Sequence, residues 1–307
     1  MLNRHLVRLL RASGYTLASI ILLWLVWRWF DGAQAWQRLK TASLPWLVVA
    51  WILLVIQTAV SALRWQLTST QLGAPIATAN AIGQYFASML CNLTLPGGVL
   101  GDAGRAWHNR GQAGLAASAA AVVLERLAGQ LAMILTLALA LTWQLRATLL
   151  SHTLWWVAGL LAAGMATGLA VAVFVVLGNH LRARAWLARL ANWIQKAWLA
   201  PQVRGRQLGL TVLVLLANLM AFFACAQAVG AELPGDMALL VLPATLLVMA
   251  LPISVAGWGV REAAAALIWP LAGIASDAAI AASVAYGIVA TLSALPGLWW
   301  LRPRAKA

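Results

Sequence analysis

Acidic residues are scarce: seven Asp and Glu stand against twenty-one Lys and Arg in 307 residues, and charged residues together make up only 9%. Soluble domains carry roughly 25%, so the chain lacks the polar surface that a water-soluble protein of this length needs. Cysteine is almost missing. Cys91 and Cys225 sit in apolar surroundings with no second Cys or His at ligand spacing, which argues against a disulfide framework or a zinc site and reads as small apolar packing. The four histidines, His5, His108, His152 and His180, are scattered. No metal site and no cofactor is therefore expected.

What the sequence has instead is apolar length: 63% of its residues are hydrophobic. A hydrocarbon core about 30 Å thick asks for roughly 20 mostly apolar residues per helix, and the chain supplies such runs several times. The expectation is an all-α, polytopic helical membrane protein with about six to eight transmembrane helices, some re-entrant or broken, because exposed strand or loop backbone has no partners in lipid. A net charge of +14 would suit nucleic acid, but its placement points elsewhere. Arg4, Arg8 and Arg11 precede the first apolar run, Arg182, Arg184, Arg189, Lys196, Arg204 and Arg206 fill one connector, and Arg302, Arg304 and Lys306 close the chain. Basic clusters beside membrane-length runs follow the positive-inside rule. They put both termini and the connector on the cytoplasmic side of the cell's inner membrane, with no nucleic-acid partner.

The first run, about Gly14 to Phe30, reads as an uncleaved span and not as a signal peptide. Arg28, Trp29 and Asp31 separate it from the cleavage-like Ala33-Gln34-Ala35. A second span is predicted from Pro45 to Leu63, ending at Arg64. From Pro75 to Gly111 the segment is only intermittently apolar and carries a Pro96-Gly97-Gly98 break, which predicts a re-entrant or interfacial element. Spans at Leu115–Leu141 and Leu154–Leu177 follow. His180 to Arg206 reads as a basic, Trp-bearing helix in the headgroup plane, the alternative being a solvated hairpin. A fifth span covers Leu208 to Val229, and Met237 to Leu301 holds either three crossings or one crossing and a re-entrant hairpin. The whole, 1–307, is one transmembrane domain: a first half to about residue 180, the connector 180–206, a second half 207–301 and a tail 302–307.

The two halves echo each other. Leu95-Pro96-Gly97-Gly98, leading to Gly101-Asp102 and Arg105, is matched by Leu251-Pro252, leading to Gly257, Gly259 and Arg261-Glu262. Broken segments at corresponding places in repeated, often inverted, halves point to a transporter's binding site. Charges at membrane depth are expensive unless paired or wet. Asp102, Arg105, Glu125, Arg126, Arg261 and Glu262 are therefore candidate binding residues, with Gly97, Gly98, Gly101, Gly257 and Gly259 loosening the backbone so that its N–H groups could also receive phosphate. Glu125 and Arg126 are adjacent on a helix and diverge by about 100°, so each should find its partner on another helix. The alternative is an ion-pair network that fixes helix register and touches no ligand. No catalytic set is recognisable, and an enzyme is the less favoured class. The stretch Gly97 to Arg105 lacks the Gly-Lys-Ser/Thr ending of a phosphate-binding loop.

Taken in order, Leu95-Pro96-Gly97-Gly98 with Gly101-Asp102 and Arg105, then Glu125-Arg126 with Gly129, then Pro252 with Gly257-Trp258-Gly259-Val260-Arg261-Glu262, resemble the signature blocks of the lysylphosphatidylglycerol synthase transmembrane family, flippase-like membrane proteins. The resemblance implies a plasma-membrane protein whose best-known relatives move an aminoacylated phospholipid between leaflets. Those relatives carry a soluble aminoacyl transferase domain after the membrane region; this sequence ends at Ala307, so the synthase activity is not carried over. The expected function is translocation of a lipid or lipid-linked glycan in an intramembrane polar groove. Arg105, Arg126 and Arg261 would face the headgroup phosphate, and Asp102, Glu125 and Glu262 would orient them. A membrane enzyme or accessory subunit acting on lipid-linked sugars, and a non-catalytic scaffold, are the alternatives. Expected partners are a membrane phospholipid or polyprenyl-linked lipid, a second copy of the chain, and an enzyme of lipid or glycan synthesis.

Overall fold

The computed structural model describes residues 4–95, 98–111, 113–146, 188–249 and 254–301. The predicted span Leu154–Leu177, part of the 180–206 connector, Gly97, Pro252 and the tail lie outside them. Helix α1 (Arg4–Trp29) turns at Asp31 into the short α2 (Gly32–Lys40), which contains the whole Ala33-Gln34-Ala35 tripeptide. Then come α3 (Leu44–Gln71), α4 (Thr78–Thr94), α5 (Leu100–His108) and α6 (Gly114–Arg146). Helix α7 (188–194) runs into a π turn, Gln195–Leu199, and α8 (Arg204–Ala228) follows. The chain continues through α9 (Gly235–Val248), α10 (Val260–Ile268), a 3₁₀ turn, α11 (Ser276–Ser293) and α12 (Gly297–Leu301). No strand occurs among the described residues.

Among those residues, four helices are long and apolar enough to cross a membrane: α3, residues 114–143 of α6, α8 and α11. Their outward faces carry large apolar side chains, such as Trp51, Ile52 and Ile56 on α3, Leu131, Leu135 and Leu139 on α6, and Leu213 and Leu216 on α8. In water such a continuous surface would drive association; in a bilayer it meets acyl chains. The protein is a polytopic helical membrane protein. One boundary differs from the sequence reading: α3 does not stop at Leu63 but runs to Gln71, and Arg64 lies inside it at 2% exposure. A paired arginine can be enclosed by the bundle, so it does not have to mark the water interface.

The element order of α3 to α6 recurs in α8 to α11: a long helix, a shorter one, a glycine-bearing break, a nine-residue helix, a second long helix. The long leading helices α3 and α8 pack along each other, and α11 packs on both. With α9 at fourteen residues and α10 at nine, roughly 21 and 14 Å at 1.5 Å per residue, neither alone spans a hydrocarbon core. Of the two options for 237–301, these lengths fit one crossing and a broken hairpin. The second half is packed around Phe222, whose ring lies 5.6 Å from that of Trp269 and 4.8 Å from that of Tyr286. Trp269 is fully enclosed and donates Nε1–H to Thr245 Oγ1 at 3.0 Å.

In the first hairpin, α5 folds back on α4 because Gly101 has no side chain: a Cβ there would collide with the backbone of Ser88. The same glycine donates its N–H to Asn92 Oδ1 at 2.8 Å, satisfying one of the free donors of the α5 start. Gly101→Val is expected to lower stability by about 1–3 kcal/mol through this overpacking. Gly104→Ala, three residues on with open space around it, is expected to be neutral or to gain up to about 1 kcal/mol of helix propensity. Thermal unfolding in detergent distinguishes the two; equal melting points would show that the α4–α5 contact is not tight.

Candidate functional site

The first half brings five charged side chains together from three helices. Glu125 on α6 accepts from Arg64 on α3 at 2.7 Å through Oε1 and from Arg105 on α5 at 3.1 Å through Oε2, and the Tyr85 hydroxyl donates to Oε1 at 3.1 Å. Asp102, at the third position of α5, accepts from Arg105 Nε at 3.0 Å and from Ser88 Oγ at 3.1 Å through Oδ1, and pairs with Arg126 Nε through Oδ2. The guanidinium carbon of Arg105 also lies 4.4 Å from the ring centre of Tyr85 and 4.9 Å from that of Trp65. As expected of neighbours on a helix, Glu125 and Arg126 pair with different partners on other elements. Arg64, Arg105 and Arg126 against Asp102 and Glu125 leave one positive charge in excess. The side chains of Arg64, Arg105 and Glu125 are at most 3% exposed, whereas that of Arg126 is 44% exposed.

The second half holds a separate, neutral cluster. Arg261 and Glu262 pair with each other, Nη2 to Oε1 at 2.7 Å, and Ser283 on α11 bonds both: it accepts from Arg261 Nε at 2.9 Å and donates to Glu262 Oε1 at 2.9 Å. The other oxygen of Glu262 accepts the Gly259 N–H at 2.7 Å, the carboxylate half of a capping box and a favourable place for negative charge at a helix start. The two halves accommodate their arginines alike. On α6, Gly129, one turn after Glu125, leaves room for Arg64, whose Nη2 would stand 3.3 Å from a Cβ there; on α11, Gly287, one turn after Ser283, leaves room for Arg261 and Trp258.

Between the halves lies a cavity of about 380 Å³ lined by both breaks, Gly98 and Val99 from one and Ser254, Ala256 and Gly257 from the other, together with α3, α6, α8 and α9. Its lining on α3 is Gln57, Ser61 and Arg64; Ser61 stands about 25 Å along a helix about 42 Å long, well inside the span. Arg64, Tyr85, Glu125 and Arg126 reach the wall, with Gln130, Thr211, Asn218 and Tyr286.

The sequence reading placed six ionisable side chains around one pocket. The structure places them in two clusters: Arg261 and Glu262 pair with each other and with Ser283, and neither lines the cavity. Asp102 and Arg105 stand behind the wall. Of the glycines, Gly98 and Gly257 line the cavity, while Gly101 and Gly259 do not, and the N–H groups of these last two are already engaged within the protein. Gly97 lies outside the described residues. Arg64 was missed as a site residue, having been read as a span end; Tyr85, Ser88 and Trp65 were missed because a hydroxyl or indole inside an apolar helix carries no signal in spacing alone.

Among the described residues no group of three or more His, Cys, Asp or Glu could hold a metal ion. The arrangement can instead hold an anion: Arg126 offers guanidinium donors beyond its Nε contact with Asp102, and Arg64 stands at the same wall. No curated protein matches the chain. The description of a protein family, lysylphosphatidylglycerol synthase TM region, fits residues 12–297, nearly the whole of the sequence, and the chain belongs to that family.

Proposed function

We propose that the protein is a translocator of a phosphate-bearing lipid or lipid-linked glycan, with the headgroup held in the cavity between the two halves. The observation that carries this reading is the side chain of Arg126, nearly half exposed, on the wall of a polar cavity bounded by both helix breaks. Arg126 contacts the phosphate and Arg64 adds a second positive charge. Asp102 and Glu125 are positioning residues: each fixes an arginine whose rotamers would otherwise be free. The acyl chains remain on the exposed apolar faces of α3, α6 and α8, which already suit lipid. Gly98 at φ 61° and Gly257 at φ 78° adopt left-handed backbone in the two breaks, conformations that glycine takes at little cost, so the hairpins can shift while the long helices stay packed.

The test is leaflet exchange in liposomes holding the purified protein and fluorescent phospholipids or polyprenyl-linked lipids. Exchange well above that of protein-free liposomes supports the reading; rates equal to the control for every phosphate lipid would remove it.

Within the same proposal the protein resides in the cytoplasmic membrane with both termini inside, as the basic clusters at 4–11 and 302–306 favour. A single cysteine at Ala191, exposed on α7, is expected to stay unlabelled by an impermeant thiol reagent in intact cells. One at Glu232 is expected to react; Glu232 is exposed, unlike its enclosed neighbour Ala231. The opposite pattern would invert the orientation.

A further inference from the structure

We propose a second lipid site: a groove between the end of α3 and the start of α8 retains an anionic phospholipid from the membrane surface at the connector, held in place and not carried. The groove, about 640 Å³, is completed by Thr78 of α4. It shares no residue with the cavity between the halves, so the inference stands whether or not that cavity holds a headgroup. Two contacts set the level of its residues. Gln207 Nε2 donates to Thr68 Oγ1 at 2.8 Å and Arg64 Nη1 to Thr211 Oγ1 at 3.4 Å, so α3 and α8 run antiparallel with Arg206 level with Ser69 and Leu210 level with Trp65. Polarity then changes along the groove. Thr70, Thr78 and Arg206 are exposed at its shallow end. Leu67, Leu210 and Leu63 line it further in, Leu63 lying about 10 Å deeper than Thr70 at 1.5 Å per residue. A cationic, hydroxyl-bearing end that gives way to an apolar wall is the profile of a phospholipid, headgroup first and acyl chain after. Thr78 Oγ1 accepts from Gln66 Nε2 at 3.0 Å, which leaves its O–H to donate to a phosphate or ester oxygen.

The anion is required because the chain supplies none at this end of the bundle. Of the seven acidic side chains, Asp102, Glu125 and Glu262 pair inside it, and Asp277 pairs with Arg38. Asp31, Glu232 and Asp236 stand at the far end, before α3 begins or after α8 finishes. The stretch between α6 and α7 contains no Asp or Glu. Arg206 therefore has no acidic side chain to meet, and neither do its exposed neighbours Arg189, Lys196 and Arg204. Basic pockets between spanning helices at a membrane surface take their counter-charge from anionic headgroups.

The experiment measures, by native mass spectrometry, the phospholipid retained by the full chain released from nanodiscs of mixed phosphatidylcholine and phosphatidylglycerol. It uses the Arg126→Gln background, so that a lipid in the cavity does not enter the count. Phosphatidylglycerol is expected to be retained about fivefold over phosphatidylcholine, the effect of one arginine at a membrane surface. Arg206→Gln is expected to abolish that preference. Gly209→Leu is expected to lower retention of both lipids several-fold by filling the groove; Gly209 lines it with open space around its Cα, so the melting point should hold. Arg204→Gln, exposed on the same turn but outside the groove, is the control and is expected to keep most of the preference. A preference that survives Arg206→Gln, or that falls equally in Arg204→Gln, would overturn the proposal, as would the absence of any retained lipid. Displacement of phosphatidylglycerol by millimolar glycerol phosphate at constant ionic strength would assign the groove to a soluble phosphate and overturn the lipid. Loss of leaflet exchange in every assay, with this retention pattern intact, would remove the translocator reading alone.

Discussion

Glu125→Gln is expected to cost about 3–5 kcal/mol of stability, the usual penalty for breaking a buried ion pair from one side. Glu125 is 1% exposed and is the common partner of Arg64 and Arg105, which are themselves 2% and 3% exposed. An amide can still accept one hydrogen bond, but it leaves two enclosed guanidinium groups with only the Asp102 charge between them and Arg126. The expected readout is a large fall in the thermal midpoint in detergent and poor recovery of folded protein. Replacing Arg64 by Gln as well removes the stranded charge, so the double variant is expected to cost less than the sum of the singles. Additive costs would mean that the α3–α6 pair is not coupled.

Arg126→Gln is expected to do the opposite, leaving the fold nearly untouched and removing function. Its side chain is 44% exposed, Asp102 keeps Arg105 and Ser88 when Arg126 is lost, and the two arginines and two carboxylates that remain balance in charge, so no charge is stranded and stability should change by about 1 kcal/mol, the worth of one lost hydrogen bond. Hydrogen bonds to charged groups are worth about 1.5–3 kcal/mol, so phosphate-lipid affinity and exchange rate are expected to fall by about ten- to a hundredfold. Arg126→Lys should recover part of the loss, because an ammonium supplies the charge but not the planar fork that holds Asp102 and phosphate together. Wild-type exchange in a folded Arg126→Gln variant would leave the cavity without its proposed anion site.

How much of this was legible in the sequence varies with the distance of the interactions. The membrane class follows from apolar run length and the placement of basic residues, both local quantities. The two hairpins were visible because proline and glycine interrupt apolar runs at matching places. Arg64 was not, because an arginine closing an apolar run looks the same whether it snorkels to water or turns inward; what decides is Glu125, 61 residues away. The division of the charges was hidden for a related reason. Neighbours on a regular helix diverge, yet Arg261 and Glu262 occupy the second and third positions of α10, where Glu262 bends back to the Gly259 N–H and so reaches Arg261 as well. The expectation that loosened glycines would offer N–H groups to phosphate met a similar limit: in Gly101 and Gly259 those donors close the helix starts they precede or occupy.

The most direct measurement is photo-crosslinking from the cavity wall. A benzophenone amino acid at Gln130, which lines the cavity, is compared with one at Leu139, on the outward face of the same helix at 61% exposure. The expected result is a phosphate-lipid adduct at position 130 that is depleted in the Arg126→Gln background, with adducts at 139 following bulk membrane composition in both. Adducts at 130 that are missing, or that match those at 139 and ignore Arg126, would contradict a headgroup site in the cavity.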